Sequence, residues 1–161
     1  MMKLKQIQYG TTTVEFALIG FLFFLVLLAV LEMGRLMFTW NSLAESTRRT
    51  ARLAVVCPLD HGDIPIVGNF NRPGGSGDNR FIIRMNEANL DVDYLDSQGD
   101  ETSTFTDIDF VRVRVVNYEY GTIIPGLSIS LSAPTFTTTL PVESLGFIPD
   151  TGTFECFGSA S

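Results

Sequence analysis

The feature that most restricts this chain is a run of sixteen residues, Phe16 to Leu31, that reads FALIGFLFFLVLLAVL without a charge. As a helix it is apolar on every side, so either protein or lipid must cover it all round. Roughly a hundred residues follow the helical N-terminal third, too few for a core that wraps such a helix. At about 1.5 Å per residue the run covers about 24 Å, short of the roughly 30 Å hydrocarbon core of a bilayer. Reaching back to Thr11 gives twenty-one residues. That is about 31 Å, enough to cross, and it draws Glu15 towards the membrane. A carboxylate there is costly unless it sits at the edge or has a partner. A cleaved secretory signal would show a small-x-small site after the apolar stretch. Here the stretch ends LLAVLEMGR, with helix formers beyond it, so it reads as a retained anchor.

The helical pattern continues past the membrane stretch to about Val56. Leu36, Trp40, Leu43, Thr47, Ala51 and Ala54 recur at steps of three and four, which places them on one face. Asn41, Glu45, Arg48 and Arg52 fall on another, and Glu45 is in reach of Arg49 at i,i+4. Pro58 opposes continuation, and Cys57 before it is biased away from helix. A helix of about forty-five residues would be nearly 70 Å long. Lys3 and Lys5 precede the span, while Arg35, Arg48, Arg49 and Arg52 follow it. The positive-inside rule therefore leaves the orientation open.

Beyond the helix, Asn71 to Asn79 (NRPGGSGDN) has the composition of a loop. It lacks the Gly-Lys-Ser/Thr ending of a phosphate-binding loop. Asp78 or Asn79 is placed to cap a short helix through Ala88, with Phe81, Met85 and Ala88 on one side. Leu90, Val92 and Tyr94 alternate with Asp91 and Asp93 as a strand does, and Ser97-Gln98-Gly99 makes a turn. Ile108 to Tyr120 is the strongest strand signal, β-branched and aromatic. Leu127, Ile129, Leu131 and Ala133 alternate with serines as a half-buried strand, and Thr135 to Val142 completes a small antiparallel sheet. The fold class expected is α+β: a long N-terminal helix, transmembrane then amphipathic, packed against that sheet.

The net charge of −7 is carried mainly beyond Asp60. It argues against a nucleic-acid partner, since phosphate recognition needs a basic face. The only two cysteines, Cys57 and Cys156, flank the globular part, and the tail from Leu145 would return towards Cys57 if they are bridged. Two reduced thiols are the alternative; export to an oxidising compartment favours the bridge.

Chemistry-bearing clusters are sparse. The single histidine, His61, lies in DHGD. Three neighbours on one turn seldom give a metal good geometry, and a polar loop is the plainer reading. Asp91, Asp93, Asp96, Asp100 and Glu101 invite a calcium reading but lack the glycine and glutamate spacing of an EF-hand. No serine or cysteine has a recognisable base motif around it. The expectation is no catalytic residue, no metal site, no cofactor and no enzymatic activity.

The N-terminus supplies the positive signal. A short basic leader ends KLKQIQYG and is followed by TTTVEFALIGFLFFL: a glycine, five residues ending in glutamate, then the apolar helix. This resembles the processing site of type IV prepilins, in which a membrane peptidase cuts after the glycine. The resemblance implies cleavage between Gly10 and Thr11, and a new α-amine at Thr11. Glu15 then becomes the fifth residue, set to meet the amine of a neighbouring subunit. Opposite charges in a poorly hydrated bundle attract strongly, and one left alone is costly, so Glu15, with Phe16 beside it, would fix the register of assembly.

Three further pieces narrow the resemblance: Val14 to Leu18, then Glu32-Met33-Gly34-Arg35, then Arg48 to Ala54. Together they look like a TadE-like minor pilin of the tight-adherence (Flp) pilus system. That resemblance implies a pilin-like organisation: a leader over 1–10, an N-terminal helix over 11–56 and an extracytoplasmic globular domain over 57–161. It implies helix contacts to partners through Glu32, Arg35, Arg48, Arg49 and Arg52. The partners implied are a prepilin peptidase, other minor pilins, the major Flp pilin and the lipid of the inner membrane. The chain would sit there as a single-pass protein with its C-terminal domain in the periplasm, and enter an extracellular pilus used in adhesion and biofilm formation. A permanently anchored periplasmic scaffold of the same machinery, and an exported, anchored binding domain, are the competing readings.

Overall fold

The computed structural model describes residues 9–76, 78–79, 81–124 and 129–157. The residues before Tyr9 and residues 125–128 lie outside the described residues. One helix, α1 (Tyr9–Ala54, 46 residues), dominates the molecule. From 10 to 31 its residues are exposed save Gly20, which is half-buried; no described part of the chain covers them. The second half carries the globular part. Leu43, Thr47, Ala51 and Ala54 are buried, with Leu36 and Trp40 packed at the edge, while Asn41, Glu45, Arg48 and Arg52 are exposed. The face read from the three-four spacing is thus the face that packs. Buried Thr39, Thr47 and Thr50 interleave with it, each hydroxyl bonded to a carbonyl three or four residues back. That satisfies the hydroxyl without leaving the helix. The helix ends four residues before Pro58, with Cys57 N–H donating to the Leu53 carbonyl at 2.8 Å.

A short helix, α2 (Asp63–Gly68), packs on α1 through Ile64, Val67 and Gly68. Gly68 is required by close approach: a Cβ there would overlap the Thr50 side chain. Next comes a three-stranded antiparallel sheet in the order β1 (Leu90–Leu95), β2 (Phe110–Val115), β5 (Thr137–Pro141). Val111, Val113 and Val115 on the inner face of β2 are buried towards α1. Opposite them stand Tyr94, Val92 and Leu90 of β1. The Thr47 and Thr138 hydroxyls lie 3.0 Å apart and tie α1 to β5. Two small antiparallel pairs complete the fold: β3 (Glu119–Gly121) with β4 (Ser130–Ser132), and β6 (Phe147–Ile148) with β7 (Thr153–Phe154). The α+β class and the helix-on-sheet packing expected from the sequence are what is found.

Three local expectations are corrected. Among the described residues the helix expected from Asp78 or Asn79 to Ala88 does not form, and a three-residue 3-10 turn, Glu87–Asn89, stands at its end. Asn79 does cap a turn, its Oδ1 accepting from Phe81 and Ile82 N–H. Arg84 at φ +67° then breaks helical continuation. The strand expected from Ile108 to Tyr120 is two strands, separated where Asn117 takes φ +52°. Buried Asn89 holds that break, donating from Nδ2 to the Val116 and Asn117 carbonyls at 3.0 and 3.2 Å. Finally, β4 is exposed at all three residues rather than half-buried, and Ile129 and Leu131 face outwards; Leu127 lies outside the described residues.

Candidate functional site

The site is α1 with the two points at which the globular part grips it. At its start the Gly10–Thr11 bond lies in the first turns of the helix, with both residues exposed. Glu15 is four residues after Thr11, about 6 Å along the axis, and Phe16 beside it is 79% exposed. Nothing described from the same chain covers either residue. The helix is long and apolar enough to cross a membrane, and none of its most apolar window is buried.

The first grip is centred on Glu32 and Arg35, which face one another at i,i+3 just past the apolar run. Arg35 Nη2 donates to Glu32 Oε1 and to the Gly121 carbonyl, each at 2.6 Å. The Tyr120 hydroxyl donates to Glu32 Oε1 at 2.8 Å, and the Arg35 guanidinium lies 4.5 Å over the centre of the Tyr120 ring. Tyr120 is fully buried, which pushes its hydroxyl pKa up to about 12, and the bond to Glu32 adds to the shift. Each partner answers another: carboxylate to guanidinium, guanidinium to carbonyl, phenol to carboxylate. The charges carried by the start of the outer half of α1 thereby become a clamp that holds β3. The sequence reading gives Glu32 and Arg35 contacts to partner subunits; within the chain they bond one another, Tyr120 and Gly121, and neither Tyr120 nor Gly121 is read as a partner. The only local signal for Tyr120 is its place in an aromatic strand, and the partnership spans 88 residues.

The second grip is at the far end of the helix. Cys57 and Cys156 are disulfide-bonded across 99 residues, and neither is free. The Val55 carbonyl accepts from both Glu143 and Leu145 N–H at 3.3 and 3.2 Å. Gly146, at φ +78°, stands so close to Pro58 that a Cβ would fall 2.6 Å from the proline Cδ. Clamp and disulfide lie twenty-five residues apart on the chain, from Glu32 to Cys57. The domain is therefore pinned at both ends of the outer half of α1.

The basic cluster divides. Arg48 pairs loosely with Glu45 at 3.7 Å, both side chains over half exposed; the sequence had suggested Arg49 as the partner of Glu45. Arg49 instead lies 5.5 Å over the Phe70 ring, and Arg52 is exposed in the last turn. Among the described residues none of the three is paired with a carboxylate of the globular part.

The acidic residues that invited a metal reading have other uses. Asp93 bonds Arg112 at 2.8 Å, Asp91 bonds Arg114 at 2.8 Å, and Glu101 reaches Arg112 at 3.2 Å, a charge ladder across the outer face of β1 and β2. Asp96 Oδ1 accepts from Gln98 and Asp100 N–H and shapes the turn after β1. His61 Nδ1 accepts from the Asp63 N–H at 3.2 Å, and its ring packs edge-on to Phe157. Among the described residues no group of three metal-ligating side chains is gathered in one place.

No curated protein and no solved structure matches the chain. A family model does: the one described as TadE-like protein matches residues 10–52. The matched stretch runs from the exposed apolar helix through the clamp residues Glu32 and Arg35 to Arg52, so the helix on which this domain is mounted is similar to that of TadE-like proteins.

Proposed function

We propose that the chain is a minor pilin, or pseudopilin, of a Tad (Flp) type IV pilus. It is cut between Gly10 and Thr11 by a prepilin peptidase, held in the inner membrane by the apolar first half of α1 with its domain in the periplasm, and then joined through α1 to other minor pilins and the major pilin. It performs no catalysis and takes no cofactor or nucleic acid; its task is to start, cap or support a pilus used in adhesion and biofilm formation. The observation that carries the reading is a helix left bare by the described residues of its own chain, bearing Glu15 five residues after Gly10, within the stretch that matches the TadE-like model. A helix with that much exposed apolar surface is stable only in lipid or among other helices. A carboxylate within it is tolerated once a cation stands beside it, and the amine created at Thr11 of a neighbour is such a cation.

The double grip supports the same reading. A domain pinned at Glu32–Arg35 and at Cys57–Cys156 moves with the helix, as a subunit drawn from a membrane into a filament requires. The test is Glu15→Ala in the full chain, scored for membrane insertion and for piliation. Normal insertion with lost piliation is expected. Unchanged piliation sinks the role given to Glu15 and favours an anchored scaffold.

A further inference from the structure

The globular part returns to α1 one residue past the apolar run, where the Tyr120 hydroxyl donates to the Glu32 carboxylate at 2.8 Å. Around that point the surface is apolar and basic. Ile123 is 59% exposed, Ile83 58% and Phe38 54%, and all three line one shallow cavity of about 130 Å³ with Arg84. The Arg84 guanidinium stands beside Gly121. Single exposed apolar side chains are ordinary, but these three are gathered at one cavity. Contiguous apolar surface of this kind marks a contact.

Its height along the helix selects the occupant. Phe16 to Leu31 covers about 24 Å, some 6 Å less than a hydrocarbon core. If Glu15 stays at the inner edge, hydrocarbon reaches about four residues past Leu31, the level of Arg35. The headgroup layer adds another 5–7 Å or so, which brings it to Phe38. Ile123, Ile83 and Phe38 then lie in the layer where apolar side chains enter lipid and arginine meets phosphate. The clamp suits that place, since Glu32 and Arg35 neutralise one another there and Tyr120 caps the pair.

Resting on the reading of α1 as a membrane helix, we propose that this face is a membrane collar. Ile123, Ile83 and Phe38 dip into the outer leaflet of the bilayer and Arg84 binds lipid phosphate, which completes a span that the apolar run alone leaves short and keeps Glu15 at the inner edge.

The test uses the full chain in phosphatidylcholine–phosphatidylglycerol nanodiscs with bromines placed at shallow or deep acyl positions. Tryptophan is introduced singly as Ile123→Trp, Ile83→Trp, Leu25→Trp or Phe147→Trp, and the emission of Trp40, common to all, is subtracted with the parent protein. Leu25→Trp should be quenched most by deep bromines. Ile123→Trp and Ile83→Trp should each lose about half of their emission to shallow bromines, as burial some 5–10 Å into the headgroup boundary requires. Phe147→Trp, beside the disulfide end, should be unaffected. Unquenched emission at both 123 and 83 with Leu25→Trp quenched overturns the collar and leaves the membrane helix standing. Blue-shifted but unquenched emission at both gives the face to a second copy of the chain and likewise overturns it. An unquenched Leu25→Trp overturns collar and membrane helix together.

Discussion

Replacing Arg35 by alanine should release the β3–β4 hairpin from the helix while the three-stranded sheet stays folded. A two-stranded hairpin is marginal by itself, and β4 contributes no buried residue to hold this one down. What holds it is Tyr120, together with the polar contacts of Arg35. The charge-assisted bond to the Gly121 carbonyl is worth about 1.5–3 kcal/mol. The part-exposed pair with Glu32 adds up to about 1 kcal/mol, and the guanidinium over the Tyr120 ring about 0.5–1 kcal/mol. The contacts share atoms and do not add fully, so a loss of about 3 kcal/mol is expected. At about 1.4 kcal/mol per factor of ten, hydrogen exchange at Tyr120 and Gly121 should quicken on the order of a hundredfold. Arg48→Ala is the control: its pair with Glu45 is long and exposed, worth a few tenths of a kcal/mol at most. Hydrogen exchange read by mass spectrometry on the full chain in detergent resolves the two cases. Unchanged protection of residues 119–121 in Arg35→Ala, or a global loss equal across β2 and β3, would refute the clamp.

Three further outcomes follow from the same geometry. Replacing both Cys57 and Cys156 by serine frees a loop of 99 residues and should cost about 4–5 kcal/mol by the chain-entropy relation, read from denaturant unfolding of the full chain. Gly68→Ala should destabilise by about 1–3 kcal/mol, as overpacking does, and Thr50→Ala in the same chain should recover part of it, because the Thr50 hydroxyl is what the new methyl meets first. Stability should fall as pH rises from about 10, the ordinary phenol value, to about 12, the value of Tyr120 in the fold. In that window the folded chain retains a proton that the unfolded chain has lost, so raising the pH favours unfolding. Tyr94 and Tyr118 are raised as well, chiefly by burial, and should add to the effect, with tyrosinate absorbance against circular dichroism as the check.

What the sequence disclosed was what local chemistry determines. A bare apolar run, a three-four face and a proline are properties of neighbouring residues, and they located α1, its buried side and its end. Alternation did the same for β1 and the valines of β2. The misread segments each turn on a contact from afar or on an unusual backbone angle. Phe81 to Ala88 has a good cap in Asn79, yet Arg84 in the left-handed region stops the helix. Val116-Asn117-Tyr118 reads as strand, and buried Asn89, over twenty-five residues earlier, breaks it. The clamp was half visible: Glu32 and Arg35 stand out after an uncharged run, but nothing near Tyr120 indicates that its hydroxyl meets Glu32. The cysteine pair was legible as a possibility because there are only two, and the fold joins them.

The measurement that tests the account most directly is the intact mass and N-terminal sequence of the membrane-extracted protein, made with and without an active prepilin peptidase. The account predicts a chain that starts at Thr11 only when the peptidase is active. A chain that keeps Met1 or Met2 in its presence would contradict the pilin reading and leave an anchored protein in which Glu15 has no amine to meet.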